Sequence, residues 1–208
     1  MDLPLVQRAD GPVVVSALAG EVGHDYRTAS ANGVRYYRAL GAAEVVAAPD
    51  VRQDKDAALA VLRTARLLVL PGGSPSRLLE ALMTTDVGEV VRELLAAGGT
   101  VVGSSAGAMA LCPWMVLPDR RGLRGMDVAE GLGVVPDLLV VPHWSGTSRG
   151  DWLQAVRDRV PQHVQVLGLP EESGVVVDGA LLTAVGRSAS RLVSADTDLP
   201  VGDTWSAA

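Results

Sequence analysis

Short, continuously apolar segments alternate with longer helical segments along most of this chain, and this alternation constrains the fold more than any other feature. The apolar segments are residues 13–18, 44–48, 66–70, 100–103 and 138–141. Strands that are apolar throughout are buried on both faces, which is typical of a parallel sheet covered by helices. The sequence therefore predicts an α/β fold of three layers, with a mainly parallel sheet between two layers of helices.

The remaining segments complete this prediction. Helices are predicted at residues 28–40, 54–64, 76–83, 87–97, 106–114 and 151–160. Three late strands are predicted at residues 164–167, 175–178 and 181–185, the last two joined by a hairpin at Asp178-Gly179, so the edge of the sheet is mixed. Because no repeat or linker interrupts the pattern, we expect one domain over residues 1–208.

Charge and composition exclude several classes of function. A net charge of -6 and a pI near 5.0 argue against a nucleic-acid binder or a protein that binds acidic membranes. The one cysteine, Cys112, allows no internal disulfide and no CxxC metal motif, and no dinucleotide fingerprint is present, so we expect no cofactor. No signal peptide is evident and the apolar runs are too short to span a bilayer, so we expect a cytoplasmic protein.

The pentapeptide GSSAG at residues 103–107 matches G-x-S-x-G and lies between a predicted strand and a predicted helix. A serine on such a turn has a strained backbone, so its neighbours must be small, and its hydroxyl is raised out of the sheet. The pattern makes Ser105 the candidate nucleophile and aims the amide of Ala106, at the helix N-terminus, at a reacting carbonyl. The alternative is a glycine-rich turn that only packs closely or binds a phosphate.

An oxyanion hole needs a second donor, and a serine needs a base. The amide of Gly73 is the candidate donor, because residues 71–74 follow the neighbouring predicted strand at the same edge of the sheet. Among the three histidines, His143 follows a buried strand and is expected at that edge, whereas His24 and His163 lie in other loops. Cys112 lies two helical turns beyond Ser105 on the predicted helix, so we expect it to be buried packing.

Four segments resemble peptidase family S51, which contains dipeptidase E and cyanophycinase. They are LVLPGGSPSRLL at 68–79, GTVVGSSAGA at 99–108, GLGVVPDLLVVPH at 131–143 and GLPEESGVVVD at 168–178. The resemblance implies a fold like that of class I glutamine amidotransferases, with serine in place of their cysteine. It also implies Ser105 as nucleophile, His143 as base, exopeptidase cleavage of short peptides, often next to aspartate, and a homodimer.

The resemblance leaves two acids open as the third member of the triad. The segment GLPE, ending at Glu171, resembles a segment of the cyanophycinase-like members, and Asp119 lies where dipeptidase E-like members carry an aspartate. Glu171 is preferred, because it begins a turn near the same edge of the sheet as His143. Arg149, like the arginines at 120, 121 and 124, lies in a loop and is a candidate to hold a substrate carboxylate, or else a surface charge.

Two other functions compete with a peptidase. A serine esterase of the α/β-hydrolase type shares G-x-S-x-G, but it places its histidine last in the chain, and here three strands are predicted after His143. A non-catalytic binding or regulatory module of the same fold is the second alternative. The presence of both Ser105 and His143 argues against that alternative.

Overall fold

A computed structural model describes residues 1–118, 126–135, 137–146 and 150–206. The chain divides into two compact units, residues 2–108 and residues 109–208 together with Met1. The single domain over residues 1–208 stays a prediction. Among the described residues, every helix is too short or too polar to span a bilayer.

The N-terminal unit alternates helices and strands. Its elements are α1 (Leu3–Arg8), β1 (Val13–Val15), α2 (His24–Ala39), β2 (Val45–Ala47), α3 (Lys55–Leu62), β3 (Leu67–Leu70), α4 (Pro75–Thr84), α5 (Val87–Ala96), β4 (Thr100–Gly103) and the start of α6 (Ala106–Leu111). Its four strands form a parallel sheet in the order β2-β1-β3-β4. Strands β1 and β3 are buried at every position, as their unbroken apolar sequences predict.

Local sequence signals set where the helices of this unit begin. The side chain of Asp54 accepts a hydrogen bond from the Ala57 amide at 3.1 Å and caps α3. Ser74 caps α4 through its hydroxyl, and a proline follows it at the first helical position. Because all four strands are parallel, the loops that follow them (residues 16–23, 48–54, 71–74 and 104–105) share one edge of the sheet.

The C-terminal unit is rich in strands. Its elements after α6 are β5 (Trp114–Pro118), β6 (Met126–Glu130), β7 (Leu138–Pro142), α7 (Gly150–Arg157), β8 (Gln165–Leu169), β9 (Ser173–Asp178), β10 (Leu181–Gly186), β11 (Ser190–Leu192), β12 (Thr197–Leu199) and β13 (Thr204–Ser206). A six-stranded mixed sheet has the order β12-β11-β8-β7-β5-β6, and an antiparallel sheet has the order β13-β10-β9. Strands β5, β7 and β8 are parallel neighbours, and the predicted hairpin joins β9 to β10.

The structure corrects several predicted elements. The helix predicted at residues 106–114 ends at Leu111, because Pro113 cannot continue it, and Trp114–Pro118 is a strand. Strands β6, β11, β12 and β13 and helix α1 were not predicted, since segments of three to six residues with mixed polarity carry no clear period. The predicted α/β class, with parallel-rich sheets and helices, is confirmed, and the strands of the described residues are divided among three sheets.

Candidate active site

Ser105 lies on the turn between β4 and α6 with a φ of 50°. This left-handed conformation is strained for a residue with a side chain and persists only where the surroundings enforce it. The Ser104 amide donates a hydrogen bond to the Leu70 carbonyl at 3.1 Å, and the Gly107 amide donates to the Ser104 carbonyl at 2.9 Å. The turn is therefore tied at one side to the end of β3 and at the other to the first turn of α6.

Glycine is required around this turn because the backbones approach very closely. A Cβ on Gly107 would lie 2.0 Å from the Leu70 carbonyl oxygen, and one on Gly103 would lie 2.4 Å from the Gly107 carbonyl carbon. A Cβ on Gly72 would lie 2.9 Å from the Ser105 Cβ and 3.6 Å from its Oγ. The turn after β3 thus lies directly against the Ser105 side chain. Gly72 was not among the predicted site residues, although the sequence PGG at residues 71–73 is the signal for this turn.

The two candidate oxyanion donors lie on either side of this contact. Ala106 is the first residue of α6, so its amide has no acceptor within the helix. Gly73 has a φ of 144°, and a Cβ there would lie 2.9 Å from both the Cβ and the carbonyl oxygen of Ala19. Within the described part of the chain, the Gly73 amide donates to no backbone carbonyl. Gly73 lies on a loop and Ala106 at the start of α6, both at the same edge of the sheet, and the role of their amides as donors stays a prediction.

His143 and Glu171 meet at the ends of two adjacent parallel strands. Strands β7 and β8 pair in register up to Pro142 and Leu169, so the residues that follow these two strands emerge at the same end. The Nδ1 of His143 lies 2.5 Å from the Oε1 of Glu171. The two side chains are 61% and 77% exposed, so the pair by itself adds little to the stability of the fold.

Backbone contacts fix the place of both side chains. His143 has a φ of 57°, and the next amide, that of Trp144, donates a hydrogen bond to the Leu169 carbonyl at 3.0 Å. The indole of Trp144 covers β8 at Gly168, where a Cβ would lie 2.5 Å from the ring. Two residues after Glu171, at the start of β9, the Ser173 hydroxyl accepts a hydrogen bond from the Ser188 amide at 2.8 Å.

The other two histidines lie elsewhere. His163 precedes β8, and its Nε2 lies 3.4 Å from an oxygen of Asp137, which precedes β7, so this pair is at the opposite end of the two strands from His143. His24 begins α2 and is strongly exposed beside Asp25. Among the described residues, no three His, Cys, Asp or Glu side chains come together as a metal site.

Several candidate residues fall outside the described residues. They are Asp119, the alternative triad acid, and Arg149, the candidate ligand for a substrate carboxylate, together with the arginines at 120, 121 and 124. Of the two candidate acids, the geometry is therefore described for Glu171 alone.

Cys112 is 1% exposed, as expected of packing, and burial raises the pKa of its thiol to about 12.

A serine with a positive φ on a strand-to-helix turn, with glycine where the backbones touch, is the geometry typical of a nucleophile elbow in α/β proteins. The chain belongs to peptidase family S51, whose sequence model matches residues 18–185. It is 26% identical over 170 residues to the cyanophycinases of Trichormus variabilis and Nostoc sp.. That alignment covers 77% of this chain and 56% of each relative, so the chain spans little more than half the length of these curated proteins.

Solved structures share the fold. The crystal structure of a peptidase from an acI-B1 Actinobacterium has a TM-score of 0.75 at 21% identity, over 99% of this chain and 89% of that one. A putative peptidase E from Listeria monocytogenes has a TM-score of 0.64 at 19% identity, over 89% of this chain and 93% of that one. These similarities confirm the expected class I glutamine amidotransferase-like fold.

The close approach at Gly107 can be tested by substitution. Gly107→Ala forces its new methyl group into the Leu70 carbonyl, so we expect the free energy of unfolding to fall by about 3 kcal/mol. Denaturant unfolding followed by circular dichroism measures the change. Gly174→Ala is the matched control, because a Cβ there would lie 3.4 Å from the Met1 sulfur, an ordinary contact. Equal stability of the two variants would contradict the role of Gly107.

Burial of Cys112 predicts that the thiol is inert in the folded protein. With a pKa raised to about 12, almost no thiolate exists at pH 8, and the side chain is also inaccessible. We expect an aromatic disulfide reagent to release no chromophore from the native protein and one equivalent after unfolding in guanidinium. Rapid reaction of the native protein would mean that the thiol is open to solvent.

Proposed function

We propose that this chain is a serine peptidase in which Ser105 is the nucleophile, His143 is its base and Glu171 orients the base. The observation that carries the proposal is the backbone of Ser105, held in a left-handed conformation by glycine contacts in a chain of peptidase family S51. The hydrogen-bonded pair of His143 and Glu171 supports the assignment of the other two roles.

The proposed chemistry is a two-step acyl transfer. His143 takes the proton of the Ser105 hydroxyl as Oγ attacks the peptide carbonyl, and the amides of Gly73 and Ala106 stabilise the oxyanion. The imidazolium then gives that proton to the leaving amine as the C–N bond breaks and the acyl-enzyme forms. Water, deprotonated by the same histidine, attacks the acyl-enzyme, and the imidazolium returns the proton to Oγ of Ser105 as the ester C–O bond breaks and the acid is released.

The contact between Nδ1 of His143 and Glu171 suits this chemistry. A carboxylate that accepts a hydrogen bond from Nδ1–H fixes the tautomer in which Nε2 is free to act as base. It also stabilises the positive charge that forms on the ring in the transition state. His143 and Glu171 follow two strands, β7 and β8, that pair in parallel register. The pairing of these strands therefore brings the two side chains together.

The proposed substrates are short peptides that are cleaved at one end. Peptide bonds next to aspartate are among those proposed to be cleaved. Support comes from the names of the similar proteins, cyanophycinase and putative peptidase E. Arg149 is proposed to hold a carboxylate of the substrate. We also propose that the protein is a cytoplasmic homodimer that acts without a cofactor and binds neither nucleic acid nor a membrane.

Peptide hydrolysis by wild type and Ser105→Ala tests the proposal. The panel contains aspartate-containing and neutral dipeptides and tripeptides and the dipeptide β-Asp-Arg, with p-nitrophenyl acetate as an ester. We expect wild type to release amino acids, and Ser105→Ala to reduce this by a factor of about 10³ or more, because the attacking oxygen is gone. Ester turnover without peptide cleavage would indicate an esterase. No turnover by folded wild type would indicate a binding module.

Two adjacent glutamates separate the role of Glu171 from a general charge effect. Glu171→Gln removes the carboxylate that orients His143, so we expect kcat to fall about tenfold or more while the fold is retained. Glu172→Gln is the matched control, since that side chain is exposed and paired with Arg187 at 3.0 Å. We expect its kcat to stay within about twofold of wild type. Full activity of Glu171→Gln would exclude Glu171 as the triad acid and favour Asp119.

A further inference from the structure

A buried ion pair lies at the carboxyl edge of the N-terminal sheet, in the loop after β2. The Asp50 side chain is 2% exposed and the Arg52 side chain 18%. Nε and Nη2 of Arg52 donate to the two oxygens of the Asp50 carboxylate, each at 2.8 Å. The Arg52 amide donates to the same carboxylate at 3.1 Å. This bidentate geometry fixes the plane of the guanidinium.

The third nitrogen of Arg52 holds the loop after β1. Its Nη1 donates to the Leu18 carbonyl at 3.2 Å and to the Gly20 carbonyl at 3.0 Å. The guanidinium carbon lies 5.7 Å from the centre of the Tyr26 ring. Arg52 thus crosslinks the loops after β1 and β2. A lysine cannot reproduce this, because it lacks the planar fork that serves four acceptors at once.

The residue between those two carbonyls, Ala19, contacts the turn that carries Gly73. Its carbonyl accepts hydrogen bonds from the Ser74 amide at 3.0 Å and from Nη1 of Arg77 at 3.1 Å. The Gly73 backbone approaches so closely that a Cβ there would lie 2.9 Å from both the Cβ and the carbonyl oxygen of Ala19. Arg52 therefore holds the loop by the carbonyls on either side of Ala19, and the Gly73 turn lies against Ala19 itself.

We propose that Arg52, oriented by Asp50, is a positioning residue for the oxyanion hole at Gly73. The inference rests on the proposed function, in which the Gly73 amide binds the oxyanion. Arg52 acts through Ala19 and touches no reacting atom. A buried ion pair adds little net stability compared with apolar side chains of the same volume, whereas its directional bonds define one loop conformation. An oxyanion donor needs such definition, because its contribution depends on its distance from the developing charge.

Substitution of the pair is expected to slow the chemical step more than substrate binding. We expect Arg52→Gln and Asp50→Asn to lower kcat about tenfold and to leave KM within about twofold, because the oxyanion forms only in the transition state. Arg52→Lys, which keeps the charge and loses the fork, should be slowed nearly as much as Arg52→Gln. Rates are expressed per active site, counted by end-point labelling of Ser105 with a fluorophosphonate, so that loss of folded protein does not lower kcat.

Arg63→Gln is the matched control. Arg63 also forms an ion pair, with Glu93 at 3.5 Å, but the side chains of both residues are about half exposed. We expect Arg63→Gln to keep the wild-type kcat.

A second measurement needs no substrate. Hydrogen exchange of the Ser74 amide, which donates to Ala19, should accelerate at least about tenfold in Arg52→Gln and stay unchanged in Arg63→Gln.

The outcomes distinguish this inference from the proposed function. Normal kcat per labelled site in active Arg52→Gln would overturn the positioning role and leave the peptidase intact. Restoration of wild-type kcat by Arg52→Lys would also overturn it, because charge alone would then be sufficient. If wild type cleaves no peptide and Ser105 takes no label, the proposed function fails and the role of Arg52 in positioning the oxyanion hole fails with it. Ser74 exchange would then still report whether Arg52 holds the loop.

Discussion

The approach of Gly107 to the Leu70 carbonyl is the constraint on which the N-terminal unit depends. With no side chain at Gly107, the first turn of α6 can lie directly on the end of β3, and this closeness leaves the intervening serine only a left-handed conformation. The strain at Ser105 is therefore a consequence of backbone packing in the sheet and is not an isolated local feature. The same packing brings Gly72 against the Ser105 side chain.

One geometric rule accounts for both clusters of candidate residues. Adjacent parallel strands end side by side, so whatever follows them is brought together without any further device. In the N-terminal unit this places the turn after β3 beside Ser105, which follows β4. In the C-terminal unit it places Glu171 beside His143. The chain thus assembles polar groups from segments far apart in sequence by ending apolar strands in register.

Sequence reasoning succeeded where a residue's role follows from its position relative to a buried strand. The parallel sheet, the elbow at Ser105 and the place of His143 at a strand end all follow from uninterrupted apolar runs. Reasoning from period failed for short strands such as β11 and β12, which depend on tertiary pairing for their conformation. The hydrogen bonds from Arg52 to the loop after β1 were not predicted either. No local sequence pattern shows that a guanidinium will reach carbonyls 32 and 34 residues earlier in the chain.

The burial of Cys112 has a consequence for how this protein withstands oxidants. Peroxides attack thiolates, and enzymes that use a cysteine nucleophile lose activity as that sulfur is converted to sulfenic and higher acids. Here the one cysteine of the chain is shielded and held as a thiol, and the candidate nucleophile is a hydroxyl. A fold shared with cysteine-dependent amidotransferases thereby carries its proposed chemistry without a nucleophilic cysteine that peroxides could oxidise.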